Sequence, residues 1–172
     1  SEDGSLQDAY EIFNYNVPNK ISHAHSAQFF NDKLFVSDLG MDAVYEYQLN
    51  NDGKNYDLIN PSIVKFSEKS GPRHCADIHL SKDDRFLYGS NRGENTIVVF
   101  KRNLTDGTLE KIQNINVHGD WPRNFTLDPT GKFLLVANKK SNNISVFKVD
   151  SNSGTLSFLN SMEAPTPVCL LF

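Results

Sequence analysis

Histidine and arginine recur in this chain where they could do chemistry together. His23 and His25 flank one residue in Ser22-His23-Ala24-His25-Ser26, and Arg73-His74 follow Gly71-Pro72. Arg92 stands in Ser90-Asn91-Arg92-Gly93, and Arg123 follows Trp121-Pro122. An imidazole titrates near neutral pH, so it can take a proton from water and give it back. A guanidinium presents a planar fork to carboxylate or phosphate, or to the oxygen that gains charge when a carbonyl is attacked. A histidine pair ringed by arginines therefore suits water attack on a carbonyl of an anionic substrate. His25, Arg73 and Arg92 are the candidate catalytic residues, with His23, His74 and Arg123 as substrate-binding candidates. Plainer readings stand beside this one. The two histidines fit a loop in which they satisfy carbonyls, and Pro-Arg serves equally as a turn device. His-x-His also suits a metal, but no carboxylate cluster of matching spacing accompanies it, so neither metal nor cofactor is expected.

The elements that would position these residues are short strands. Between Ser81 and Leu109 a polar turn, Lys82-Asp83-Asp84, leads into Phe86-Leu87-Tyr88. Asn91-Arg92-Gly93-Glu94 breaks that run, and Thr96-Ile97-Val98-Val99-Phe100 follows. Two apolar runs linked by turn residues, with no helical period, predict an antiparallel meander. The stretch recurs: Asp128-Pro129-Thr130-Gly131-Lys132-Phe133-Leu134 repeats its first half and Asn143-Ile144-Ser145-Val146-Phe147 its second, with Asn91 and Asn138 spaced 47 residues apart. Looser copies lie at Asn31–Tyr47 and at the start of the chain. A period of roughly 40–50 residues with four strands per unit predicts the blades of a β-propeller. The expected pieces are 1–14, 22–70, 75–118 and 121–164, with a closing strand at 167–172, an incomplete all-β ring of about three blades plus partial ones. The first whole blade is expected to end in an outer strand near Ile63–Phe66. Asp38, Asn91 and Asn138 end the second strand of each unit, which predicts a shared turn-capping role. Trp121 is expected to pack between blades, and His79 and His118 to be structural.

One irregularity interrupts the repeat. Counting back 15 residues from Asp38, Asn91 and Asn138 gives His23, Ala76 and Arg123, whereas Arg73 lies 18 back. That offset predicts two different blade beginnings joined at 74/75, with a segment missing there.

A formal charge of −4 over 172 residues gives no basic stripe for nucleic acid. No run of about 18 apolar residues is present to span a membrane. Cys75 and Cys169 match neither a disulfide framework nor a zinc spacing and are expected to be buried thiols in a cytoplasmic protein. Asn103-Leu104-Thr105, Asn124-Phe125-Thr126 and Asn143-Ile144-Ser145 fit the glycosylation sequon, a short pattern that chance often produces.

The sequence resembles the seven-bladed propeller lactonases. The residues that carry the likeness are Ser22-His23-Ala24-His25-Ser26, Gly71-Pro72-Arg73-His74, Ala76-Asp77-Ile78-His79, Ser90-Asn91-Arg92-Gly93, Asp128-Pro129-Thr130-Gly131-Lys132-Phe133-Leu134 and Pro167-Val168-Cys169. The resemblance implies the C-terminal half of a lactone hydrolase, with a small anionic lactone as substrate and 6-phosphoglucono-δ-lactone as the expected one. A muconate-type cycloisomerase and a non-catalytic binding propeller are the alternatives. It further implies a monomer or weak homodimer and a channel-mouth site of His25, Arg73 and Arg92, with His23 beside them. The glutamate that the family would add has no counterpart, and Arg123 precedes Asn124 where relatives often carry His.

Overall fold

The computed structural model describes residues 5, 12, 13, 15 and 16, and 18–41, 43–50, 56–60 and 74–172. Twelve strands form three antiparallel sheets of four. The first holds β1 (Ala24–Phe30), β2 (Lys33–Asp38), β3 (Ala43–Leu49) and β4 (Tyr56–Asn60). The second holds β5 (His74–Leu80), β6 (Phe86–Arg92), β7 (Thr96–Arg102) and β8 (Leu109–Asn116), and the third β9 (Pro122–Leu127), β10 (Phe133–Asn138), β11 (Asn143–Val149) and β12 (Leu156–Glu163). In each sheet the strands follow chain order from inner to outer edge, and the inner strands β1, β5 and β9 are neighbours in space. These are three propeller blades with their inner strands side by side.

Local chemistry sets the turns. The β1–β2 hairpin turns on Asn31-Asp32, with Asn31 at φ 55°, the left-handed region that such two-residue turns require. The β9–β10 turn is longer: Asp128 accepts hydrogen bonds from Thr130 N–H (3.0 Å) and Phe133 N–H (2.7 Å). Gly107 and Gly154 occupy matching corners at φ 74° and 73°, each N–H reaching back four residues, to Asn103 and Asp150. A side chain at Gly154 would meet the Phe86 ring at 2.3 Å, so glycine is needed there for conformation and for space.

Blades pack face to face through apolar side chains. Phe35 and Val44 of the first blade meet Ile78, Leu87, Val98 and Phe100 of the second. On its other face the second blade sets Tyr88, Ile97 and Val99 against Phe125, Leu134, Val136 and Phe147 of the third. The middle blade is covered on both faces, which is why Ile97-Val98-Val99-Phe100 is apolar without alternation. One seam is ionic. Arg102 donates to Glu46 through Nε (3.2 Å) and Nη2 and to Asp84 through Nη1 (2.7 Å), and Lys33 lies 3.1 Å from Glu46.

Three expectations change. The outer strand of the first blade is Tyr56–Asn60, while the Ile63–Phe66 stretch lies outside the described residues, as does most of 1–14. Residues 164–172 form no strand, because no neighbouring strand among the described residues offers them a ladder; Leu170 N–H instead donates to Asn124 Oδ1 at 2.7 Å. Cys75 is buried but Cys169 is exposed, since it sits in that unpaired tail.

Candidate active site

Each inner strand breaks register near its start. The β1–β2 ladder skips His25, the β5–β6 ladder shifts across Ala76 and Asp77, and the β9–β10 ladder skips Arg123. A residue left out of a ladder is freed to aim its side chain elsewhere, which is how bulges serve sites. Here they aim at one place. His25, Ser26, Ala76, Asp77, Arg123, Asn124 and Val168 line a single cavity of about 180 Å³ at the channel mouth.

Asp77 ties the three inner strands together. Its carboxylate accepts from Ser26 Oγ (2.9 Å) on β1 and from Asn124 Nδ2 (2.6 Å) on β9. It also accepts from the Ile78 N–H (3.0 Å), and His79 Nε2 lies 3.2 Å away. Burial by itself would raise the Asp77 carboxyl, but the hydrogen bond and charge of His79, then the bonds from Ser26 and Phe125, outweigh it and hold the group below its ordinary value.

His25 sits among cations. Desolvation is the largest cause holding its imidazole below the usual histidine value, followed by the charge of Arg92 and then of Arg123; a hydrogen bond to the Ala76 backbone and the charge of Asp77 oppose them. Arg92, at the end of β6, is 7% exposed and reaches Cys75 C=O at 3.5 Å. Burial, then Arg123, lowers its guanidinium as well. Arg123 is exposed and makes no hydrogen bond or ion pair among the described residues. The arrangement is an exposed imidazole held below its usual value by partial desolvation and two guanidinium charges, one of them on an exposed side chain.

The structure thus brings His25, Arg92 and Arg123 together. His23 is not part of the cavity: its N–H donates to Asp38 Oδ1 (2.9 Å) and its exposed ring lies beside Gly40. The bulge at His25 breaks the alternation that would otherwise put residues 23 and 25 on one side. The short Asn31-Asp32 turn also shifts the count, so His25, not His23, is the register equivalent of Arg123. Arg73 lies outside the described residues, and of His74 only its backbone pairing with Arg92 is described. Asp38 caps its loop as expected, receiving the N–H groups of His23 and Met41 and the Ser22 hydroxyl. His79 is structural, packing edge-on to Phe125 at 4.8 Å between ring centroids. Among the described residues no group of three or more His, Cys, Asp and Glu side chains could hold a metal, and no helix is long and apolar enough to cross a membrane.

Sequence reasoning missed Asp77 and Asn124. The available signal was a carboxylate set between Ala76 and Ile78 inside a strand, where an unpaired charge would be costly.

Comparison with known proteins agrees with this architecture. The family described as "Lactonase, 7-bladed beta-propeller" matches residues 1–76 and 75–172. A 6-phosphogluconolactonase of Formosa agariphila is 32% identical over 163 residues, covering 64% of this chain and 46% of that protein. One from Bacillus subtilis is 29% identical over 160 residues, covering 63% and 45%. The chain therefore spans under half the length of these curated relatives. Among solved structures, a Lactobacillus plantarum protein superposes with a TM-score of 0.64 at 30% identity, over 86% of this chain and 57% of that one.

Proposed function

The chain belongs to the seven-bladed β-propeller lactonase family, and we propose that the protein hydrolyses a small anionic lactone, 6-phosphoglucono-δ-lactone being the substrate its named relatives point to. The observation that carries this reading is that His25 and Arg123 line one cavity, with partial desolvation and the charges of Arg92 and Arg123 lowering the His25 imidazole. Neutral His25 takes a proton from water as the water oxygen attacks the lactone carbonyl. Arg92 and Arg123 donate to the oxygen that becomes negative. The ring C–O bond then breaks, and the imidazolium returns its proton to the leaving alkoxide, giving the open hydroxy acid. Asp77 is no substitute base, because its oxygens are committed to four partners, two of them on neighbouring strands. Arg73 and His74, candidates from the sequence, are proposed to add further substrate contacts.

Two further points belong to this reading. Cys75 and Cys169 suit a reducing compartment, as they are not paired with each other, one being buried and the other exposed, which supports a cytoplasmic location. A segment absent at 74/75 is supported by the family match, whose two stretches meet at residues 75–76. Peptide mapping of the full-length protein across His74-Cys75 tests that point: an uninterrupted tryptic peptide removes it.

The test of function is acid release at constant pH from 6-phosphoglucono-δ-lactone by the full-length protein, run beside 3-carboxy-cis,cis-muconate. Acid release above the spontaneous rate supports the hydrolase. Turnover of the muconate alone assigns the cycloisomerase, and turnover of neither favours a binding propeller.

A further inference from the structure

Trp121 adopts φ 66°, a left-handed conformation that a bulky side chain rarely takes. Such a conformation persists only where the surroundings impose it, and it is an observation from which a site can be argued. Here the surroundings are specific. The Trp121 N–H donates to Asn95 Oδ1 (3.0 Å), whose Nδ2 donates to Asp120 Oδ1 (2.9 Å). On the other side Lys139 N–H reaches Trp121 C=O and Lys140 N–H reaches Asp120 C=O, both at 3.1 Å. The loop before β9 is thereby bound to the turns after β6 and after β10.

This clamp presents a half-buried indole to two cations. Lys140 Nζ stands 3.5 Å from the ring centroid, and Arg92 Cζ 5.6 Å. Arg92 is the buried member and acts on His25; Lys140 is exposed and makes no ion pair among the described residues. Cation–π attraction stabilises each cation over the ring without neutralising its charge. Arg92 therefore links His25, on which its charge acts, to Trp121, which also carries Lys140, and all four lie at the end of the blades where inner strands begin and second strands finish. Such a chain of contacts suits a ligand with a carbonyl near His25 and an anionic group near Lys140.

We propose that Trp121 and Lys140 form the subsite for the phosphomonoester arm of the lactone: Lys140 binds the phosphate and Trp121 packs against the sugar ring. The proposal rests on the lactonase reading and deepens it, because it names the residues that make the protein prefer a phosphorylated lactone. A charged hydrogen bond to phosphate is strong enough to alter affinity about 10–100-fold.

The experiment compares kcat/KM for 6-phosphoglucono-δ-lactone and glucono-δ-lactone in the full-length protein, in Lys140→Met and in Trp121→Phe. The control is Lys132→Met, which removes the same charge from the turn at the far end of the blade. The phosphorylated-to-unphosphorylated ratio is expected to fall about 10-fold or more in Lys140→Met and to hold in Lys132→Met. An unchanged ratio in Lys140→Met, or an equal fall in the control, overturns the subsite. Calorimetric binding of 6-phosphogluconate and of gluconate to the same proteins separates the two claims. If neither lactone is hydrolysed, the lactonase reading fails, and the subsite stands only if Lys140→Met selectively weakens the phosphorylated ligand. Because Trp121→Phe can lose the strained turn and misfold, Lys140→Met decides the outcome.

Discussion

Replacing Arg102 with alanine should destabilise the protein far more than loss of a surface charge would. The Arg102 side chain is 1% exposed and Glu46 4%, and they join the first blade to the second with Asp84 as a third partner. The guanidinium also sits 5.5 Å over the Phe35 ring. Without it, Glu46 keeps Lys33 at 3.1 Å as its charged partner among the described residues. Asp84, whose carboxyl burial already raises against the pull of Arg102 and Lys33, loses its nearest cation. Breaking a buried ion pair from one side costs about 3–5 kcal/mol, because a desolvated charge is left behind. The remaining Lys33 argues for the lower end, about 3 kcal/mol. With a urea slope of roughly 2 kcal/mol per molar, the unfolding midpoint should fall by about 1.5 M. Equilibrium urea unfolding followed by circular dichroism measures it. A shift below about 0.5 M would equal the worth of an exposed pair and refute a buried inter-blade lock.

Other consequences can be checked on the same preparation. Asp77→Asn should cost about 1–3 kcal/mol at pH 7, since an amide cannot accept at both oxygens. The folded Asp77 carboxyl lies below its ordinary value, so its contribution is full above the unfolded carboxylate range near pH 4 and is lost as pH falls through the lower folded value. The difference between parent and Asp77→Asn should therefore shrink between pH 7 and pH 3; a constant difference would show that the charge is not what matters. Arg123→Gln removes one of the cations that hold His25 down, so the acid limb of kcat/KM against pH should move to higher pH. A limb that stays in place or moves lower would remove His25 as the base or Arg123 as its neighbour.

The repeat was legible because turn chemistry and strand pattern recur together: the Gly107 and Gly154 corners and the Asn91 and Asn138 strand ends keep one spacing because each blade makes the same turns. Arg92 and Arg123 stand out in the sequence by type and lie at strand ends, while Arg73 lies outside the described residues. The choice between His23 and His25 was not, since it depends on a two-residue hairpin turn and a bulge, both of which shift register without changing composition. The Glu46–Arg102 lock joins residues 56 apart on different blades, a pairing that no local pattern marks. Asp77 escaped notice for the same reason, as two of its partners come from neighbouring strands. Residues 167–172 form no strand here, because they have no ladder among the described residues to join.

The central claim is that the cations at the channel mouth stabilise the charge that develops on a lactone carbonyl. Steady-state hydrolysis of 6-phosphoglucono-δ-lactone by the Arg92→Ala full-length protein tests it most directly. Loss of one donor to such an oxyanion typically lowers kcat by about 10²–10³, and that is the result expected here. A kcat equal to that of the unsubstituted protein would take Arg92 out of the chemistry and leave the channel mouth without its proposed role.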